Sequence, residues 1–503
     1  MNSVHAAVEP TFPFQITPEV LRQDNPTERA VLVRTDLTAA SRWVLRFFLA
    51  AEFPLRATVT VRAVTMTRDH DPPLLGFVYI NYGCTYQPFE ISFDARLIPS
   101  ITAGDSLLCR FEFRIDGACD RVESSASVTE SAWIIVDDDY GGCFRPCLYA
   151  EKSHSELDTA TDALLAAVCS PVSLQPFNWL EGCVLDGIGD VLEVVSDSGR
   201  ANTGTERIPR GDIERSLRFH IDQYFQPDGV LRYVGAGSEA RQNEILGIEA
   251  LLPFAALFRH NLDHAAVPLF LDCVERLYGD DELIIDRFWD PEGIRREPPR
   301  VSIEGCYTVA YPLALYGTFQ DTSRWDQIAE AQISRRLDYL LRDEMVHQRS
   351  FLSGEPMQAN WARALCWYLL GTVKTVAVLM PRYDCASLIT MWRRVAKHVV
   401  AFQRSDGLYS TYLTEPDGGP DTSGSAGIAA AFALGTLHGL LPEEYRRSAE
   451  RTLHGLVPFI RPDGLLAGVS QLNRGGDEYQ RTGPKVIGQF AMGLAAQLWA
   501  ALQ

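Results

Sequence analysis

Acids, guanidinium groups, indoles and hydroxyls recur together at six places in this chain of 503 residues. They are Asn178, Trp179 and Glu181; Arg241, Asn243, Glu244 and Glu249; Arg300, Ser302 and Glu304; Asn360, Trp361 and Arg363; Asp421, Thr422, Ser423 and Ser425; and Tyr479, Arg481 and Lys485. Two of these places share a local pattern, Leu180-Glu181-Gly182-Cys183 and Ile303-Glu304-Gly305-Cys306. Taken singly, each polar residue reads equally well as a helix cap or a first-turn carboxylate favoured by the dipole. Their repetition argues for a shared site. Aromatic faces stack on pyranose rings, and paired carboxylates supply the acid and the base or nucleophile of glycosidic cleavage. An arginine fork matches a carboxylate, and a buried guanidinium without an acidic partner is costly. A uronic acid is therefore the simplest ligand, and pairing of Arg363 with one of the chain's own glutamates is the competing account.

The elements that position these residues read as helices. From about residue 155 the chain is rich in Ala, Leu and Arg, as in Ala163–Val168, Leu269–Val274 and Ile428–Leu440. Short turns built on an acid recur at Asp228, Asp290, Asp343, Asp406 and Asp463, spaced 62, 53, 63 and 57 residues apart. Asp-Gly is a tight-turn dipeptide, and a brief extended piece follows the clearer copies. New helices are expected near 247, 304, 361, 424 and 484, with an earlier one near Trp179. Six two-helix units of this length imply an (α/α)6 toroid whose inner helices open on one rim; an open α-solenoid is the alternative.

Residues 28–140 differ. Ala57–Val64, Gly76–Ile80, Leu107–Ile115 and Ala132–Val136 are short runs separated by Gly, Pro, Asp and Asn, with apolar and polar residues alternating in the clearer ones. They suggest an antiparallel β-sandwich over residues 1–150, ahead of a barrel over 151–503. Asp137–Gly142 marks the boundary.

The balance of 46 Lys and Arg against 65 Asp and Glu gives a formal charge of −19. Such a surface repels phosphate backbones and anionic lipid, so neither nucleic acid nor membrane is expected as a partner. The N-terminus lacks a basic region followed by an apolar one, which points to a cytoplasmic location. Eleven scattered cysteines, an odd count, fit reduced thiols. Cys143 and Cys147 have no second Cys/His pair nearby, so no metal and no cofactor are expected.

Several segments resemble the glycoside hydrolases of families 88 and 105, the unsaturated glucuronyl and rhamnogalacturonyl hydrolases. Val301–Tyr307 with Pro312–Gly317 resembles their catalytic helix, and Trp361-Ala362-Arg363 with Trp367 resembles their Trp-Ala-Arg-Gly-Asn-Gly-Trp motif. Gln403–Tyr409, Thr422-Ser423-Gly424-Ser425-Ala426, Asp463-Gly464 and Gly483-Pro484 with Gly488-Gln489 complete the likeness, over roughly 230–503. The resemblance implies an (α/α)6 barrel that releases a terminal uronic acid from an oligosaccharide. It places Glu304 at the catalytic acid, Glu244 or Glu249 near a second acidic position, and Trp361 and Arg363 in the sugar-carboxylate pocket. His347 matches a pocket histidine or is a surface histidine. Trp179, Glu181, Arg241, Asn243, Ser423, Ser425 and Arg481 are the further candidates for binding sugar.

Three departures bear on the substrate. Glu304 stands where the family keeps Asp, Ala364-Leu365-Cys366 replaces Gly-Asn-Gly, and the N-terminal domain is an addition. They favour two-carboxylate hydrolysis of a saturated β-glucuronide, as in the related family 154 β-glucuronidases, over vinyl-ether hydration. A polysaccharide lyase using Tyr307, Tyr479 or His347, a sugar epimerase, and a carbohydrate-binding protein are the other classes. The added domain is expected to lend a loop to the barrel mouth or to make a homodimer contact.

Overall fold

The computed structural model describes residues 28–33, 40–51, 55–64, 72–81, 87–98, 101, 104–118, 132–134 and 146–151, then 156–170, 175–195, 208–233, 238–260, 263–287, 298–320, 322–473 and 476–503. Asp137–Gly142, Cys143 and the turn at Asp290 lie outside these residues. The chain divides into two units, Met1–Glu151 and Lys152–Gln503.

The first unit holds β1 (Glu28–Val33), β2 (Arg42–Ala51), β3 (Leu55–Ala63), β4 (Leu74–Asn81), β5 (Pro88–Asp94), β6 (Ser106–Ala118), β7 (Ala132–Ile134) and β8 (Cys147–Ala150). They pair in the order β4-β3-β6-β1-β8-β2-β5, with β7 added on β2. Every ladder is antiparallel except the short β1–β8 pairing. Among the described residues the pairing follows one connected path of mainly antiparallel strands. The ends of that path meet, since β4 packs on β5, where a Cβ on Gly76 would stand 2.6 Å from Ile91 Cγ2. Strand β2 escaped the alternation test because Trp43 through Leu49 are buried on both faces. Its buried charge, Arg46, lies against Glu90 at 2.7 Å and the Tyr149 hydroxyl at 3.0 Å.

The second unit alternates outer and inner helices. The outer set is α1 (Leu157–Val168), α3 (Arg210–Tyr224), α5 (Val267–Leu277), α8 (Arg324–Leu340), α10 (Ala386–Val400) and α12 (Glu443–Leu456). The inner set is α2 (Trp179–Val194), α4 (Pro253–His260), α6 with α7 (Gly305–Thr308, Ala310–Gly317), α9 (Ala362–Leu379), α11 (Thr422–Leu437) and α14 (Gln489–Ala501); a short α13 (Gly476–Thr482) lies ahead of α14. Outer helices bury one stripe, whereas α2, α9, α11 and α14 are buried nearly all round. Helix α9 is long and apolar enough to cross a bilayer, but 89% of that window is buried inside the protein, as befits an inner helix.

Neighbouring inner helices touch in sequence, and α14 returns to α2, so the ring is closed. Glycine lets them approach. A Cβ on Gly187 would meet the Gly493 backbone, one on Gly493 the Cys183 carbonyl, and one on Gly371 the Cys306 carbonyl. Gly493→Ala should therefore pry apart the closing pair and destabilise the unit by about 1–3 kcal/mol, read as a lower unfolding midpoint. An unchanged midpoint would mean that the α2–α14 contact does not close the ring.

The inner starts fall close to expectation, at 179, 248, 305, 362, 422 and 489, counting the 3-10 turn Ile248–Leu251 that leads into α4. The turns also recur. Asp228 and Asp406 accept from the amides of Val230 and Leu408, and Asp281 makes the same bond to Leu283. Asp281 thus adds a turn ahead of the expected one at Asp290, which lies outside the described residues. The sequence reading missed it because Glu282 takes the left-handed conformation, φ 63°, where its counterparts Gly229, Gly407 and Gly464 stand at φ 83–88°.

Candidate active site

Glu304 is placed by a strand and a turn. Strand β11 (Arg300–Ser302) pairs with β13 (Met345–Phe351), and the Ile303 amide donates to the Gln348 carbonyl at 2.9 Å. The chain then enters α6, and the Glu304 carbonyl accepts from the amides of Tyr307 and Thr308. Its carboxylate takes one donor on each oxygen: Ser302 Oγ on Oε2 and Gln348 Nε2 on Oε1, both at 2.8 Å. It remains partly exposed. This is a polar, oriented acid at the start of an inner helix.

Two further carboxylates stand nearby, and the sequence reading named neither. Asp286 Oδ1 accepts from the Ile248 amide at 2.9 Å, and Glu239 Oε2 accepts from the Glu249 amide at 3.2 Å. Both flank Gly247, where a Cβ would meet the Glu239 carboxylate and stand 3.1 Å from Asp286 Oδ1. Burial pushes the Asp286 carboxyl above its ordinary range. The Ile248 amide pulls it down, the Glu304 charge raises it, and Arg300 and Arg336 lower it, with the balance upward. Asp286 follows the apolar run Leu283-Ile284-Ile285, and that extended piece after a rim turn was the available signal.

A cationic and aromatic sector adjoins through the β13–β14 hairpin, whose second strand is Pro356–Ala359. Asn360, Trp361 and Arg363 follow it. The Arg363 guanidinium lies 4.5 Å over the Trp361 ring, and its Nη1 and Nη2 donate to the carbonyls of Ser470 and Gln471. Lys485 Nζ donates to Thr411 Oγ1 at 2.6 Å and Ser470 Oγ at 2.9 Å. Burial lowers the Lys485 pKa; the Asp421 charge opposes that effect and the Arg363 charge adds to it. Trp367 packs edge-on against Trp179 at 5.1 Å and is stacked with Tyr307 at 6.2 Å.

Unmet hydrogen-bonding capacity gathers in the same place. Among the described residues, Gln348 Oε1, both amide atoms of Asn360, the indole nitrogens of Trp361 and Trp367, and Asp421 Oδ2 are buried without a hydrogen-bond partner. Asn360 and Gln358 also hold left-handed backbone, φ 51° and 60°. Buried polar groups are ordinarily satisfied, and strained non-glycine backbone clusters at functional sites. Both signs mark the hairpin and the residues that follow it as part of the candidate site.

Several expected residues are committed elsewhere. Glu181 is fully buried on the Nδ1 nitrogen of His220 from the outer helix, at 2.8 Å. Its carboxyl is raised by burial against the pull of that histidine, and it is spent on joining α2 to α3. Arg241 and Glu244 pair with each other at 3.5 Å on an exposed two-residue hairpin that also carries Asn243. Glu249 stands on the 3-10 turn, where its amide serves Glu239. The Nδ1 nitrogen of His347 bonds the Leu340 carbonyl at 3.2 Å. The Ser423 and Ser425 hydroxyls donate to Asp421 Oδ1 and the Asp421 carbonyl, both at 2.7 Å, so they finish the helix cap. Arg481 forks onto Glu415 at 2.7 and 3.0 Å above the Tyr412 ring. Trp179 is buried among aromatic rings, including Phe490 at 4.9 Å. Glu304, Trp361 and Arg363 are the candidates that stand together at the starts of adjacent inner helices.

Residues 339–502, which carry Gln348, Asn360, Trp361, Arg363, Asp421 and Lys485, match the family described as Glycosyl Hydrolase Family 88. No curated protein matches the chain in sequence. Among solved structures, it is similar to a possible family 105 member from Salmonella enterica serovar Paratyphi A, with a TM-score of 0.55 and 15% identity over 70% of this chain and 96% of that one. A family 105 glycoside hydrolase from C. acetobutylicum gives 0.54 and 16% identity, over 69% and 99%. A polysaccharide lyase gives 0.50 and 14% identity, over 68% and 97%. At such identities the likeness speaks to the fold, which hydrolase and lyase share. With the family match added, the chain is a family 88/105-like glycoside hydrolase.

Proposed function

We propose that the protein is an exo-acting hydrolase that releases a terminal, non-reducing uronic acid, with Glu304 and Asp286 as its acid pair. The observation that carries this reading is their juxtaposition. Glu304 is a carboxylate held by two donors, and Asp286 is a carboxyl kept protonated to higher pH by burial and by the Glu304 charge. A carboxyl raised by its surroundings beside a carboxylate held by hydrogen-bond donors is the arrangement expected of acid and base in glycoside cleavage. Asp286 gives its proton to the glycosidic oxygen as the bond to the anomeric carbon breaks. Glu304 draws the proton from the attacking water, or attacks that carbon itself. Arg363 and Lys485 supply positive charge for the sugar carboxylate, and the unpaired amide of Asn360 and the unpaired Oε1 of Gln348 take hydroxyls.

This pair favours a saturated β-glucuronoside. The family 88 match favours the second reading, in which one acid protonates the double bond of an unsaturated uronide and water adds across it. Paired turnover separates them. Release of nitrophenol from p-nitrophenyl β-glucuronide supports the first, and loss of the double-bond absorbance of an unsaturated uronyl disaccharide alone supports the second. Turnover of neither overturns both.

Asp286 also has a pH signature. Because its carboxyl is raised, it keeps its proton above the usual carboxylate range, and activity should fall as pH rises through that raised value. Asp286→Asn should abolish this alkaline limb, and it should slow sugar leaving groups about 10²-fold or more while sparing nitrophenolate, which leaves without a proton. An intact limb in the variant would assign the acid to another group.

A further inference from the structure

Behind the acid pair lies a buried guanidinium whose hydrogen-bond partners are all neutral. Arg336, on the outer helix α8, is 0% exposed. Its Nε donates to the Ser302 carbonyl at 3.0 Å and its Nη2 to the Ile284 carbonyl at 2.6 Å. Nη1 reaches the carbonyl and side-chain oxygens of Gln332, at 2.9 and 2.8 Å. Ser302 stands two residues before Glu304, and Ile284 two residues before Asp286. One fork thus ties together the two chain segments that present the two acids. Gly305, directly after Glu304, makes the room: a Cβ there would overlap the guanidinium.

Burying a charge without an ionic partner is costly, so its presence asks for a reason. Burial lowers the Arg336 pKa to about 10, which leaves it charged at neutral pH. A neutral side chain could satisfy one carbonyl, but only a planar set of five donors reaches three segments in fixed geometry. The sister unit supplies a contrast. There the outer-helix group, His220, takes the Glu181 carboxylate itself. In the Glu304 unit the outer-helix group takes the backbone and leaves the carboxylate to Ser302 and Gln348.

We propose that Arg336 is a positioning residue that fixes the placement of Glu304 relative to Asp286 through the Ser302 and Ile284 carbonyls. The proposal rests on the acid pair of the proposed function. Arg336 touches no substrate. Its charge also holds down the Asp286 carboxyl against burial and Glu304.

Two variants separate fork from charge. Arg336→Met should lower kcat about 100-fold with KM within about threefold, the cost of a misplaced acid. Without the positive charge, Asp286 should titrate higher, read by carboxyl carbon-13 resonance with Asp286→Asn for assignment. Arg336→Lys keeps the charge but cannot bridge the segments, so Asp286 should titrate near its original value while kcat still falls at least about tenfold. A lower melting temperature with kcat and the Asp286 titration unmoved would overturn the proposal and leave Arg336 a purely stabilising group. Should Arg336→Met fail to fold, Arg336→Lys with undiminished kcat overturns it equally. If the unaltered protein turns over neither glycoside, the acid-pair function fails by itself, and the resonance titration still decides whether Arg336 governs Asp286.

Discussion

Glu304→Gln should lower kcat by about 10²- to 10⁴-fold and leave the unfolding midpoint nearly unchanged. The structure explains why the fold should tolerate the change. The new amide is close to isosteric with the carboxylate, and Ser302 Oγ can turn to accept from it. Gln348 presents its Nε2 to Glu304 and has a buried Oε1 with no partner, so rotation of that amide converts donor to acceptor at no loss. The group lost is thus a base or nucleophile, not a structural support. A second consequence follows from the charge. Glu304 raises the Asp286 carboxyl, so its neutralisation should let Asp286 titrate lower and draw the alkaline limb of any residual activity toward acid. A variant with wild-type kcat would reduce the site to a sugar-binding one. Loss of activity with an unmoved limb would separate Glu304 from Asp286 and undo the pair.

Much of this was legible in the residues because it is repetitive. A turn after an outer helix, seen at five of the six, and an inner start some twenty residues later are local signals, and the copies support one another. Glu304, Trp361 and Arg363 were visible because they sit in first turns at the rim, where side chains of a closed ring converge. What sequence could not supply was the choice each polar group makes among neighbours distant in the chain. Glu181 and Glu304 occupy the same Glu-Gly-Cys pattern, yet an outer-helix histidine takes the first and a rim hydroxyl and amide take the second. Ser423 and Ser425 look like sugar ligands until Asp421 and its cap absorb both. Asp286 and Glu239 were missed because they lie on irregular rim segments, and only the fold of Gly247 against both brings them together. In the N-terminal sheet β2 went unnamed for a different reason: alternation finds strands with one wet face, and from Trp43 to Leu49 β2 has none.

Lys374→Met should be strongly destabilising, at about 3–5 kcal/mol, because it leaves two buried carboxylates sharing Arg259 as their remaining cation. Lys374 on α9 bonds Asp186 at 2.7 Å and Asp190 at 2.6 Å, both on α2. Asp186 is 1% and Lys374 6% exposed at the side chain. Arg259 at the end of α4 reaches the same two acids at 2.9 and 3.0 Å, and the Tyr307 and Tyr311 hydroxyls donate to Asp186. Three inner helices and the Glu304 turn are thus joined inside the ring by one polar cluster. Burial alone would raise Asp186, but Lys374 and Arg259 more than reverse it, so its folded value is lowered. A lowered carboxylate contributes stability that is present above its unfolded value and lost as pH falls through the folded one. Without Lys374 the largest charge opposing burial is gone, so Asp186 moves upward and its protonation costs the variant less than it costs the unaltered protein. The deficit, measured by calorimetry against the unaltered protein, should be largest near neutral pH and shrink as pH falls into the acid range. Adding Asp186→Asn to the variant should recover part of the loss in the same way. A deficit that stays constant across this range would show that Lys374 acts by packing its stem and not by its charge.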